Sequence, residues 1–206
     1  MRLSPEEKSF ISAVHQTNLL RRTKLLLRLK REKTLNEYLK KEQNSFLSLI
    51  NSTRPLVLPD APVLLLGCAN LSLFPLLRRY FKNISALDPS PQLVANAKSY
   101  KYPCTQQYFE ELSSFPETFD FVIAFNVFQL SLYPESILQS IYAILNPGGI
   151  LAHVTPHTFP NIIRDHICNY DSRKWAALYQ ESGFHILSSS VKIFNQKEFH
   201  LIAMKP

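Results

Sequence analysis

The residues able to do chemistry are few and sharply placed. Four glycines occur in 206 residues, where an average frequency of about 7% would give about fourteen. Such a chain keeps glycine where the backbone must turn sharply or approach something closely. Gly67 closes the apolar run Val63-Leu64-Leu65-Leu66, Gly148 and Gly149 follow Asn146-Pro147, and Gly183 ends a helical pattern. Asp88, a side chain that only accepts hydrogen bonds, ends a second apolar run; with Pro89, Ser90 and Pro91 it also suits an ordinary Asp-Pro turn. His153, Thr155 and His157 lie on or just past a later apolar run. Cys68, Cys104 and Cys168 are odd in number, widely spaced and without a CxxC pair. That argues against both a disulfide framework and a zinc site. No GxGxxG occurs for a nicotinamide cofactor, and no P-loop for phosphates.

The elements that must position these residues fall into two segments. Residues 5–51 read as helical, starting at Ser4-Pro5-Glu6-Glu7 with Ser as cap, Pro in the first turn and acids against the positive end of the dipole. Leu35, Tyr38, Leu39, Phe46, Leu49 and Ile50 recur at helical spacing, so one stripe can pack on a core. Prolines 55, 59 and 62 end that segment. From Val63 onward, short apolar runs alternate with helical patterns, the mark of a parallel sheet covered by helices. Strands are expected at 63–66, 84–87, 119–125, 150–155, 184–194 and 198–204. Helices are expected at 71–81, after Ser90-Pro91, at 135–145 and at 173–182. The fold class is α/β: a mostly parallel sheet with helices on both faces, preceded by N-terminal helices. The expected division is residues 1–54 as a basic helical extension or lid and 55–206 as the α/β domain.

Charge is confined as sharply as glycine. Of 23 Lys/Arg and 16 Asp/Glu, twelve and six fall in residues 1–60, and residues 21–41 alone hold nine basic residues against Glu32 and Glu37. That stretch can face water, or touch nucleic acid, an anionic membrane surface or an acidic partner. No apolar run approaches the roughly 18 residues of a membrane span, and the N-terminus lacks the apolar stretch of a secretory signal. A reduced, cytoplasmic protein is expected.

Five segments, in order, carry a resemblance: VLLLGCANLS, ISALDPSPQLVANAK, FDFVIAFNVFQL, ILNPGGILAHVTP and a closing SGF before two strands. Over about residues 55–206 the chain resembles the class I S-adenosylmethionine (SAM)-dependent methyltransferases, nearest the small single-domain group that includes quinone-biosynthesis and carrier-protein carboxyl methyltransferases. The resemblance implies a Rossmann-like, seven-stranded, mostly parallel sheet, with SAM across the carboxyl ends of the first strands, where open α/β sheets bind ligands. Gly67, Cys68, Ala69 and Asn70 would form the loop beneath its methionyl part, and Asp88-Pro89 would meet the ribose hydroxyls. Tyr108, Phe109 and Glu110 would flank adenine, and Asn126 would line the cofactor and substrate mouth. His157 is the candidate base, should the acceptor need to lose a proton; Gln129 stands where relatives often carry histidine.

The pattern is broken in the first loop. Leu65 replaces an acid, and Ala69 and Leu71 replace glycines. Asn70 can adopt a left-handed conformation in place of one of them. The loop either keeps its shape with weaker binding or is partly filled. Two classes of function follow: a methyltransferase acting on a small-molecule or carrier-bound substrate, or a degenerate fold acting as a binding or scaffold protein. An RNA-directed enzyme gripping phosphates with residues 21–41 is a third reading. The segment AFNVFQ lacks the signature used on exocyclic base amines, and Pro103-Cys104 is misplaced for cytosine-C5 chemistry.

Overall fold

A computed structural model describes residues 2–31, 34–68, 73–156, 168, 170–194 and 197–206. Ala69, Asn70 and Leu71 of the first loop, and His157, lie outside them.

The helical extension is two helices, α1 (Pro5–Arg31) and α2 (Leu35–Thr53). Ser4 and Glu7 cap α1 reciprocally: Glu7 N–H donates to Ser4 Oγ (3.2 Å) and Ser4 N–H to Glu7 Oε2 (2.7 Å), satisfying two donors that a helix start leaves free. Then come β1 (Pro62–Leu66), α3 (Phe74–Leu77), β2 (Asn83–Asp88), α4 (Pro91–Ser99), β3 (Cys104–Gln106) and β4 (Phe119–Phe125). The chain closes with α5 (Pro134–Ile144), β5 (Leu145–Pro156), α6 (Ser172–Glu181), β6 (His185–Ile193) and β7 (Lys197–Met204).

The seven strands run in the order β3-β2-β1-β4-β5-β7-β6, parallel except for β7, which is antiparallel to both its neighbours. Apolar side chains alternate between the faces. Val63, Leu65, Phe121, Ile123 and Val154 face α2, α3 and α4, while Leu64, Leu66, Val122, Ala124 and Leu151 face α5 and α6. Burial on both faces is why these strands read as unbroken apolar runs.

Three elements differ from the sequence reading. β3 is not among the expected strands, because its three residues, Cys104-Thr105-Gln106, form no apolar run. Among the described residues of the helix expected at 71–81, Phe74–Leu77 is regular and the turn beyond it tightens, because Arg79 and Tyr80 make bonds three residues back, to Leu76 and Leu77. Those turns fold Phe81 into the core. The segment Asn146-Pro147-Gly148-Gly149, lying between the expected helix 135–145 and strand 150–155, is a bulge inside β5: Leu145 pairs with Phe119 and Ile150 with Phe121, so the intervening residues loop out with Gly148 at φ +77°.

The cysteine reading is overturned. Cys68 and Cys104 form a disulfide, and Cys168 is the buried free thiol. Their 36-residue separation is the length of one helix-strand-helix excursion. The strand order places β1 and β3 on either side of β2, so distance along the chain says nothing about distance across it.

Candidate functional site

The site grows from one row of backbone across the carboxyl edge. Register pairs Leu66 with Leu87 and Ala124, Phe125 with Val154, and Val154 with His200. One step beyond the first two pairs, Asp88, Gly67, Phe125, Val154 and His200 are therefore level across β2, β1, β4, β5 and β7.

Asp88 is fully buried. Its Oδ2 accepts from Cys68 N–H (2.8 Å) and its Oδ1 from Ser90 N–H (2.9 Å), joining β2 to the first loop and to the start of α4. Gly67 sits at φ +91°, and a Cβ there would lie 2.6 Å from Val127 Cγ1. Gly67→Ala is expected to cost about 1–3 kcal/mol by urea denaturation. Adding Val127→Ala should recover the steric part but not the cost of the left-handed backbone; full recovery would disprove the strain.

α1 lies directly on this edge. Ser12 Oγ donates to the Pro89 carbonyl (2.8 Å) and stands 3.5 Å from the Tyr108 hydroxyl. The buried His15 places Nδ1 3.8 Å from Asp88 Oδ1, and its ring meets the edge of Phe109 at 5.6 Å. Lys8 pairs with Glu111 (3.0 Å), and the Tyr133 hydroxyl donates to Glu7 (2.6 Å). Lys8, Ser12 and His15 were not singled out as site residues from the sequence. The available signal was Lys8, Ser12 and His15 at i, i+4 and i+7, one polar face of a helix.

Burial raises the Asp88 carboxyl from 3.8 to about 6, against the two N–H donors that lower it. Burial also lowers His15 from 6.5 to about 4. At neutral pH an ionised carboxylate therefore faces a neutral imidazole at a distance too long for a hydrogen bond. Between pH 4 and 6 the folded state holds a proton on Asp88 that the unfolded chain has released, so this group's contribution to stability falls as pH rises. His15 has the opposite sign between 4 and 6.5, where the unfolded chain holds the extra proton. The two slopes oppose each other. His15→Gln removes the rising one, and its urea midpoint is expected to fall from pH 4 to 6 relative to the parent; parallel profiles would contradict this.

The other expected residues are dispersed. Asn126 follows β4 in a left-handed conformation (φ 56°), its N–H donating to the Val154 carbonyl (2.8 Å), and its buried Oδ1 has no partner among the described residues. Glu110 accepts from Ser131 Oγ at Oε1 (3.0 Å), while Oε2 is buried without such a partner; burial raises its pKa. Leu65 is packed in the core, offering no carboxylate. His153 is not at the rim. It packs against Phe128, Trp175 and Tyr179 on the α5/α6 face, and burial lowers it to about 3. Thr155 donates to Gln129 Oε1 (3.4 Å). At the far end of the row, under α2, Glu198 accepts from Ser45 Oγ and lies 3.3 Å from His200 Nε2, while His200 Nδ1 has no partner among the described residues.

The family model for a methyltransferase domain matches residues 30–189. No curated protein matches the chain by sequence. Solved structures share the fold. Magnesium protoporphyrin IX methyltransferase from Synechocystis PCC 6803, with bound SAH, is 15% identical over 84% of this chain and 87% of that one, with a TM-score of 0.67. The N-methyltransferase NodS from Bradyrhizobium japonicum WM9 is 14% identical over 83% and 98%, at 0.65. A protein solved in complex with the Haloferax volcanii Trm112 methyltransferase activator is 16% identical over 77% and 89%, at 0.63.

Proposed function

The chain belongs to the methyltransferase-domain family, and from that membership we propose that it is a SAM-dependent methyltransferase acting on a small-molecule or carrier-bound acceptor. The observation that carries this reading is Asp88, a carboxylate wholly buried at the end of β2 and level with Gly67. An acid held there against a strong desolvation cost needs a purpose beyond folding.

The residues fit the cofactor. Each Asp88 oxygen accepts one backbone N–H and keeps lone pairs for ribose hydroxyls. Asn126 Oδ1 and Glu110 Oε2 are acceptors still lacking donors among the described residues. When bound, SAM supplies a sulfonium methyl group open to in-line displacement. The protein's share is positioning, which can contribute about 7–11 kcal/mol to such a reaction. Asp88 anchors one end of the row. α1 acts as the lid, with Ser12 and His15 excluding water over Pro89 and Asp88 and the Glu7–Tyr133 bond as its latch. His200 offers a proton acceptor at the β7 end, so the role expected of His157 does not depend on that residue alone. The exposed Leu20 and Leu27 of α1, seven residues apart on one side of the helix and beside its basic residues, offer a face for a protein or nucleic-acid partner.

A scaffold without catalysis is the second reading, favoured by Leu65 and by α1 lying directly on Asp88. Calorimetric titration with SAM and S-adenosylhomocysteine discriminates between the two. Micromolar binding is expected, strengthening as pH rises through about 6 while Asp88 ionises. Silence at millimolar ligand would leave the scaffold.

A further inference from the structure

β3 is an edge strand of the sheet and only three residues long. An open groove of about 620 Å³ follows it, lined by Arg78, Lys98, Lys101, Tyr102, Thr105 and Glu117 among others. That size falls within the ~300–1,000 Å³ range of ligand sites. Its charge is one-sided, three cations to one acid, and none of the three forms an ion pair among the described residues.

One ring of the groove's lining, Tyr102, belongs to an aromatic column that continues beyond it. Phe74 stacks on Tyr102 (4.4 Å, 22°), and Tyr102 on Tyr100 (6.2 Å, 21°). The Arg78 guanidinium lies 5.1 Å from the Phe74 ring and 5.7 Å from Tyr102. Tyr100 ends the column 62% exposed. Between the two tyrosines, Lys101 adopts φ 59° as α4 ends, with its N–H donating to the Lys98 carbonyl (2.8 Å). Helix ends usually place glycine at such a position, and an L-residue there costs roughly 1–2 kcal/mol. A lysine kept in that conformation points to use of its side chain.

We propose that this groove binds single-stranded nucleic acid, with phosphates on Arg78, Lys98 and Lys101 and a base stacked on Tyr100. The cations alone would suit any anion. The exposed ring at the end of a stacked column suits a planar base, and a duplex keeps its base faces covered. An acidic peptide would leave the column unused.

The test is fluorescence anisotropy of a labelled twelve-nucleotide oligo-U with the full chain. Micromolar affinity is expected at low salt, with a log–log salt slope of about −2, from three cations at roughly −0.7 each. Joint replacement of Arg78, Lys98 and Lys101 by Ala should abolish most affinity and flatten the slope. Tyr100→Ala should weaken binding at least about fivefold with the slope unchanged. Lys101→Gly should raise the melting temperature while weakening binding. SAM titration of the triple variant, expected to match the parent, keeps this groove distinct from the carboxyl edge. Absence of binding at low salt overturns the proposal. So does binding that survives the triple variant but is lost with Lys24→Glu and Lys30→Glu on α1. Polyglutamate competing as well as oligo-U would overturn it in favour of an acidic protein partner.

Discussion

Asp88→Ala is expected to lower SAM affinity on the order of 100-fold while barely changing folding stability. Hydrogen bonds to a charged acceptor contribute about 1.5–3 kcal/mol each, and two ribose hydroxyls would lose theirs. The stability terms oppose each other. Cys68 and Ser90 N–H lose their acceptors, at about 1–3 kcal/mol each. Against that, the variant no longer buries a carboxylate whose pKa rises from 3.8 to about 6, a relief of about 3 kcal/mol at neutral pH. Calorimetry and urea denaturation on one preparation separate the two quantities. A large loss of stability with affinity unchanged would make Asp88 a structural residue and remove the main support for the proposed activity. Asp88→Asn keeps one acceptor oxygen but sets an amide against a backbone donor, so it should bind more weakly than the parent and better than the alanine variant.

Removing the Cys68–Cys104 link by Cys104→Ser is expected to lower stability by up to about 4 kcal/mol, the loop-closure entropy for a separation of this length. The effect should reach the cofactor edge, because the N–H of Cys68 is a donor to Asp88. SAM affinity of the parent should therefore fall under reducing conditions, and the Cys104→Ser variant should be insensitive to reductant. Alkylation of the denatured, unreduced protein should label Cys168 alone. Three labelled thiols would show that the link does not form.

The elements were legible where burial is two-sided or a cap is local. Val63-Leu64-Leu65-Leu66 is apolar because both its faces are covered, and Ser90 caps α4 through Leu93 N–H as its place before Pro91 suggests. The first-loop glycine and the strand-ending aspartate were legible too, because each is a residue type with a narrow physical use. His153 was misleading: alternation along β5 sends it to the α5/α6 face, and a histidine in an apolar strand gives no sign of which face it takes.

The sequence alone determined the α/β class and the order along the chain of every strand but the short β3. These follow from local periodicity, capping and backbone freedom, all read within a few residues. Only the tertiary structure decided that Cys68 pairs with Cys104, that Ser12 and His15 of α1 cover Asp88, and that Glu198 and His200 end the same row. The physical reason is common to all three. Each is a contact between elements far apart in the chain, set by strand order and helix docking, and a pairing across a sheet leaves no periodic trace in either partner.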